Sequence, residues 1–234
     1  MNHRDLALVQ GIDHTRATLR RWNAAPGGVV GRWALCSLLI GGGLLYIVWA
    51  ISHRVTPDAT HLLLPGVNRP ATVGAAAHVL IRNSLVLALH AAACVAGYIA
   101  GSALPAEAER RRGLSGWIHR HAGPAAIAFV AGATLFSLVT QAYVLGTGAA
   151  TLAGQLEIGQ ATLMLTLLPH ALPELTALFL PLAAWLIASR RGRFDELLAA
   201  TVATTAVAVP VLVLAAAIEI WVWPHLLRAA SPLG

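Results

Sequence analysis

Charge is scarce in this sequence, and lysine is absent from it. The 234 residues include 16 basic residues, all of them arginine, and 10 acidic residues, so charged residues make up 11% of the chain. Ordinary soluble domains contain about 25% charged residues. Hydrophobic residues make up 57%, and the mean hydropathy is +0.70. This composition excludes a soluble globular enzyme, a disordered chain and a disulfide-stapled secreted domain, and it leaves a polytopic helical membrane protein.

The sequence also lacks the motifs of the common enzyme classes. It has no Walker A motif, no dinucleotide fingerprint, no His-Glu-x-x-His pattern and no nucleophile elbow, so no residue is assigned a catalytic role. The two cysteines, Cys36 and Cys94, lie inside apolar runs, which favours small core residues over a disulfide or a metal site. The arginines lie between apolar runs and form no stripe, so no nucleic-acid partner is expected.

Five segments are free or nearly free of charge over lengths that suit a bilayer-spanning helix, which needs about 20 residues. The first segment follows a stretch longer than the charged region of a signal peptide, so we expect a retained helix. The predicted fold class is an all-α membrane protein with one five-helix bundle over residues 33–228. The predicted spans are 33–52, 83–105, 122–147, 160–189 and 197–227.

The arginines predict how these spans are oriented. Twelve of the 16 lie in the N-terminal segment and in the loops after spans two and four, and the other four lie on the opposite side. Cytoplasmic loops carry an excess of Arg and Lys. The N-terminus is therefore expected in the cytoplasm and the C-terminus outside.

The N-terminal segment 1–32 is basic and has a partly helical pattern. Leu6, Val9, Ile12 and Leu19 recur at roughly helical spacing among Arg, Asp and His. Two interpretations are open for it. One is an amphipathic helix on the cytoplasmic leaflet, and the other is a solvated basic tail that helps to set the topology.

Six polar residues stand out inside the predicted spans, where ionisable groups are costly and mark candidate functional sites. At about 1.5 Å per residue, their expected depths place all six at or above the middle of the bilayer on the outer side. We therefore expect them to converge on one polar cluster that is open to the outside. Its members are Asn83, His90, Gln141, His170, Glu174 and Glu219.

His170 and Glu174 are the most informative pair, because residues four apart share one helix face. Pro173 between them is expected to kink the helix. One interpretation is a structural lock, in which a His170–Glu174 hydrogen bond ties helices four and five together with Glu219 as a further partner. A second is a proton- or ion-linked conduit, as in a transporter subunit. A third is a zinc site formed by His170, Glu174 and Glu219, with His90 as a further ligand. The spacing matches no zinc motif, so no metal is expected.

Gly97 and Gly101 form a small-xxx-small motif in the second span. Such a motif lets two helices approach closely. Packing within the chain is the preferred interpretation. A homodimer or a contact with a partner helix through the same face is the alternative.

Four segments resemble the signature of a known family, the stage II sporulation protein M family. Segment 168–175, LPHALPEL, resembles its PHG-x-x-EL motif, and segment 215–224, AAAIEIWVWP, resembles its IAAFIEAFITP ending. The RNS at 82–84 and the QAYVLG at 141–146 are similar to its NN and NG-x-x-x-G elements. The resemblance extends over about residues 75–227 and places His170, Glu174 and Glu219 at the motif positions.

The resemblance implies a multi-pass protein of the bacterial cytoplasmic (inner) membrane. Its expected partners are the lipid bilayer and other membrane or cell-envelope proteins, for which it would act as a scaffold or anchor without catalysis. Two alternatives from the residues stay open. One is a transporter or permease subunit that uses the intramembrane His–Glu pair, and the other is an intramembrane metal-dependent hydrolase.

Overall fold

The structure is a computed structural model that describes residues 7–59, 61–103 and 113–233, and the side chains of these ranges outside 7–10, 113–123 and 126. Some sequence predictions lie outside this part of the chain. They concern Leu6 of the N-terminal pattern, residues 104 and 105 of the predicted second span, and four topology-setting arginines, Arg4, Arg110, Arg111 and Arg112.

The described chain is helical, and no strand occurs within it. The helices are α1 (Ala7–Asn23), α2 (Pro26–Ser52), α3 (Val73–Tyr98), α4 (Gly113–Gln155), α5 (Gln160–Arg190), α6 (Leu197–Ala217) and α7 (Trp223–Ala230). A π-helical segment, Ile99–Ala103, continues α3, and a second one, Ile218–Val222, joins α6 to α7. A 3₁₀ turn, Phe194–Glu196, precedes α6.

Five helical stretches are long and apolar enough to cross a membrane. They are Pro26–Ser52, Val73–Ala103, Ile127–Gln155, Gln160–Arg190 and Phe194–Ala230. The predicted all-α membrane fold is therefore confirmed.

The helices are longer than the charge-free windows of the sequence. Helix α3 begins at Val73, ten residues before the predicted span, and α2 begins at Pro26 instead of residue 33. The predicted first and second spans begin directly after Arg32 and Arg82, because a charged residue ends an apolar window. A charged residue does not end a helix, so both helices begin before these arginines. An apolar window shows which residues can lie in the hydrocarbon core of the bilayer. Backbone hydrogen bonds and capping decide where the helix itself begins and ends.

The end of α5 shows such a capping motif. Gly192 adopts a left-handed φ of 65°. Its N–H donates to the Ser189 carbonyl at 3.3 Å, and the Arg193 N–H donates to the Ala188 carbonyl at 2.9 Å. This is the hydrogen-bond pattern of a Schellman motif, which a glycine in that conformation favours. The chain then turns directly into the 3₁₀ segment and α6.

Contacts divide the described residues into two compact units, and each long helix contributes residues to both. Unit 1 takes its residues from Met1–Ser37, Val86–Thr134 and Phe179–Ala208, and unit 2 from Leu38–Leu85, Leu135–Leu178 and Val209–Gly234. Unit 1 buries Cys94 completely, and its thiol donates to the Pro181 carbonyl at 3.1 Å. Both cysteines are free thiols.

Helix α1 packs within unit 1 through small and polar residues. Gly11 and Thr18 are buried, whereas Ile12 is 51% exposed. The described part of the N-terminal segment is helical, as the first of the two interpretations expects, and the membrane contact of that interpretation stays a prediction. Two acidic residues of the 3₁₀ turn contact α1: Asp195 lies 2.8 Å from His14 Nε2, and Glu196 accepts a hydrogen bond of 2.5 Å from Arg21.

Candidate functional site

The polar residues predicted to form one cluster do not all belong to one unit. His90 lies in unit 1, where its ring contacts Phe179 at a centroid distance of 5.4 Å. The other five lie in unit 2. Gln141 donates to Ser137 Oγ of its own helix at 2.9 Å, and this bond occupies its amide group locally. The side chains that unit 2 brings together come from α3, α5 and the second π-helical segment.

Glu174 on α5 is the centre of this group. Its carboxyl interacts electrostatically with Glu219 and Arg82, and with the side-chain amide of Asn83. Arg82 and Asn83 are consecutive residues of α3, so one turn of that helix supplies a cation and an amide to two carboxyl groups. We refer to these four residues as the carboxyl cluster. With both carboxyls ionised, the cluster carries one net negative charge.

The position of Glu219 depends on an irregular helix. It lies in the π-helical segment Ile218–Val222 between α6 and α7. A π-helical turn inserts an extra residue, which changes the direction of the side chains, and such turns are frequent at functional sites. Glu219 is half-buried, and it interacts with Arg82 as well as with Glu174.

His170 has a different neighbour from the predicted one. It is 4% exposed, and its ring packs against Trp223 with a centroid distance of 5.1 Å. The Trp223 ring is itself fixed by a hydrogen bond, in which its Nε1 donates to Thr166 Oγ1 at 3.3 Å. The Nδ1 atom of His170 has no hydrogen-bond partner among the described residues, and the groups that act on Glu174 do not include His170. The expected His170–Glu174 hydrogen bond is thus replaced by a ring contact.

Two buried polar atoms of unit 2 have unused hydrogen-bonding capacity. They are His170 Nδ1 and Asn83 Nδ2, and Asn83 is only 3% exposed. The Asn83 amide lies within electrostatic reach of Glu174 without completing a hydrogen bond through Nδ2. Buried polar groups in proteins are nearly always paired, so such exceptions call for an explanation. They give this region the capacity to hold a further polar group.

Helix α5 passes through the proline-rich motif without interruption. Because Pro173 has no N–H, the carbonyl of Pro169 has no donor four residues further along the helix. Thr176 Oγ1 donates to the Leu172 carbonyl at 2.7 Å, which adds a side-chain bond to the same turn. The helix continues from Gln160 to Arg190.

One interpretation of the sequence is a zinc site formed by His170, Glu174 and Glu219, with His90 as a further ligand. Among the described residues, no three His, Cys, Asp or Glu side chains come together in a group that could hold a metal ion. The surroundings of Glu174 are another carboxyl, a guanidinium and an amide. The positive charge of Arg82 acts on both carboxyl groups, and a nearby positive charge disfavours the binding of a metal cation.

Side chains of unit 1 occupy the space beside Gly97 and Gly101. A Cβ atom at position 97 would lie 2.7 Å from Trp185 Nε1 and 2.8 Å from Leu197 Cδ1. At position 101 a Cβ would overlap the ring of Phe194. The small-residue face of α3 is therefore occupied by the chain's own side chains.

Sequence reasoning missed two members of the site. Arg82 was counted as a topology signal, because it stands just outside the predicted second span. Trp223 was not singled out as a site residue in the sequence, where it is one of many apolar residues of the fifth predicted span. The neighbour of Arg82, Asn83, was recognised, and the position of Arg82 one residue before it was the available signal. Nothing in the sequence signalled the π-helical segment that carries Glu219.

Comparison with protein-family models matches residues 115–224 to the model described as Stage II sporulation protein M. The matched range includes His170, Glu174, Glu219 and Gln141, and it is narrower than the range over which the resemblance was expected. The predicted resemblance is confirmed over these residues. No curated protein and no solved structure matches the chain.

Proposed function

We propose, from the match of residues 115–224 to the model of the stage II sporulation protein M family, that the chain is a multi-pass scaffold of the bacterial cytoplasmic membrane. In this role it anchors partner proteins of the cell envelope. The carboxyl cluster acts as a cross-link between helices and keeps the anchoring surface in one arrangement. No cofactor is part of this proposal.

The observation that carries the proposal is the position of Glu174. This residue of α5 interacts with α3 through Arg82 and Asn83, and with the second π-helical segment through Glu219. Charges interact more strongly in a medium of low dielectric constant than in water. Removing one partner leaves the others uncompensated in the membrane, so the cluster disfavours arrangements that separate the three elements.

The segment between α2 and α3 supplies a suitable anchoring surface. Its backbone is tied to the end of α4, where Leu62 N–H donates to Gln155 Oε1 at 2.8 Å and Gln155 Nε2 donates to the Leu62 carbonyl at 3.1 Å. Asp58 N–H donates to Thr151 Oγ1 at 3.1 Å. Leu63 is 52% exposed on this segment. A fixed loop with an exposed apolar side chain suits the docking of a partner.

A second candidate function is a proton- or ion-linked subunit of a transporter. The specific observation in its favour is the unused hydrogen-bonding capacity of His170 Nδ1 and Asn83 Nδ2 in the same unit as two carboxyl groups. Polar groups of this kind inside spans mark proton and ion pathways in other membrane proteins. The two functions differ in whether the carboxyl charges are needed for activity or only for the fold.

The test combines site-specific photocrosslinking with replacement of the carboxyls. A photoreactive amino acid is placed at Leu63, and the control carries it at Leu39, an apolar position that is 68% exposed on α2. The scaffold proposal expects discrete protein adducts from position 63 in living cells and none from position 39. The same adducts should persist in the double variant Glu174→Gln, Glu219→Gln, because an amide preserves shape and hydrogen bonding.

Two results would contradict the scaffold. One is the absence of discrete adducts at position 63 in the unsubstituted chain. The other is loss of pH-driven proton flux from proteoliposomes of the purified double variant, when the unsubstituted chain conducts protons. That second result would establish the transporter function instead.

A further inference from the structure

A basic pocket lies in unit 2 between the turn of the α2–α3 segment and the start of α7. Its volume is about 260 Å³, and its lining includes neither His170 nor Trp223, the two residues of the ring contact described above. Drug-sized ligands occupy pockets of about 300–1,000 Å³, so this pocket suits a smaller group. The lining includes Gly66, Arg69, Trp221, Pro224, His225 and Arg228.

The wall of the pocket depends on a glycine. Gly66 has a left-handed φ of 78°, and its N–H donates to the Arg69 carbonyl at 2.7 Å, which closes the turn. A Cβ atom on Gly66 would lie 2.9 Å from Pro224 Cβ and 3.1 Å from the Ile220 carbonyl oxygen. Only glycine combines this φ with such close packing. The turn is therefore held directly against the π-helical segment and α7.

Arg228 is held in place by two contacts. Its Nη1 donates to the Gly66 carbonyl at 2.6 Å, and its Nη2 lies 3.1 Å from His225 Nδ1. Because a guanidinium has no acceptor, His225 Nδ1 accepts this hydrogen bond, and the proton of a neutral His225 ring is then on Nε2. The contacts orient both side chains and leave Nε2–H of His225 as a donor.

The lining is cationic and contains no acidic side chain. It presents the guanidinium groups of Arg69 and Arg228 together with the imidazole of His225. Arginine binds phosphate oxygens through paired N–H groups, and this geometry favours it over lysine. Trp221 lies at the end of the apolar stretch of α6, where indole rings favour the membrane–water interface.

We propose that this pocket binds a phosphate group at the membrane surface. The ligand chemistry is that of a phosphate ester or of inorganic phosphate, held by Arg69, Arg228 and His225. A phospholipid headgroup and free phosphate share this chemistry, and they differ in whether an apolar chain lies beside Trp221. This site does not depend on the scaffold function or on the carboxyl cluster.

The experiment measures thermal unfolding of the full chain in a neutral detergent with three added probes. These are inorganic phosphate, short-chain phosphatidic acid, and a diacylglycerol of the same chain length without phosphate. Ligands that bind the folded state raise its Tm. The proposal expects a rise with phosphatidic acid or with inorganic phosphate, and none with diacylglycerol. A rise with inorganic phosphate alone identifies free phosphate as the ligand, whereas a much larger rise with phosphatidic acid identifies a lipid headgroup.

The key variant is Arg69→Gln, because the Arg69 side chain is exposed and its backbone contact with Gly66 is unaffected. We expect its apparent Kd for the active probe to be about tenfold weaker, the effect of losing one charge-assisted contact. The matched control is Arg54→Gln, an exposed arginine of unit 2 outside the pocket. Equal weakening in both variants, no weakening in Arg69→Gln, or no probe that raises the Tm of the unsubstituted chain would overturn the proposal.

Discussion

At the scale of single residues, the indole of Trp185 leaves no room for a Cβ atom at position 97. Replacing Gly97 by Ala would place that atom 2.7 Å from Trp185 Nε1. Overpacking of this kind costs about 1–3 kcal/mol. We therefore expect Gly97→Ala to lower the Tm of the purified chain in detergent by several degrees.

The matched control for this substitution is Gly42→Ala in α2. A Cβ atom at position 42 would meet no atom within 4 Å. Alanine is favoured over glycine inside a helix by about 1 kcal/mol. The control should therefore unfold at the same temperature as the unsubstituted chain or slightly above it. Equal Tm values for the two variants would contradict the packing described for Gly97.

At the scale of elements, the attachment of α1 depends on one buried carboxylate. Glu196 is 8% exposed and accepts hydrogen bonds from Arg21 of α1 and from Arg193. Replacing it by Gln removes the charge that both guanidinium groups share. Hydrogen bonds to charged groups contribute about 1.5–3 kcal/mol. We expect Glu196→Gln to raise the rate of tryptic cleavage within α1, for example after Arg16, by about tenfold.

The control for Glu196→Gln is the substitution Asp195→Asn in the same 3₁₀ turn. Asp195 contacts His14 of α1, but both side chains are about half exposed, at 50% and 44%. Solvent screens exposed ion pairs, which typically contribute less than about 1 kcal/mol. The cleavage rate of Asp195→Asn should therefore stay close to that of the unsubstituted chain. If Asp195→Asn releases α1 as strongly as Glu196→Gln does, the buried carboxylate is not the main attachment.

At the scale of the whole molecule, the five candidate spans predict that Asn23 and Leu233 lie on opposite sides of the membrane. The distribution of arginine predicts that the N-terminus is cytoplasmic. The test uses a chain in which Cys36 and Cys94 are replaced by Ala, with one new cysteine at Asn23 or at Leu233. In intact cells a membrane-impermeant maleimide should label Leu233→Cys and leave Asn23→Cys unlabelled. The reverse pattern would invert the proposed topology.

The composition was sufficient to predict the class of fold. A spanning helix satisfies its backbone hydrogen bonds internally, so apolar length alone identifies it. The boundaries were less predictable. Val73, ten residues before the predicted second span, already begins α3, because the charge of Arg82 ended the apolar window but not the helix.

Part of the candidate site was also predictable. Asn83, His170, Glu174 and Glu219 stood out because polar groups are rare within apolar spans. Their partners were not predictable from spacing. His170 and Glu174 are four residues apart, but His170 packs against Trp223 and Glu174 interacts with Arg82 and Asn83. The i,i+4 rule describes a single helix, and it contains no information about the helices that pack against it.

By itself, the sequence determined the number of spans, the predicted orientation and the identity of the polar residues, because hydropathy and charge are properties of each residue. Only the tertiary structure decided which of these residues meet. It placed Arg82 where its charge acts on two carboxyl groups, packed Gly66 against Pro224, and filled the space beside Gly97 with the Trp185 side chain. Such contacts join positions far apart in the chain, and they depend on the packing of helices and on π-helical turns that no local pattern specifies.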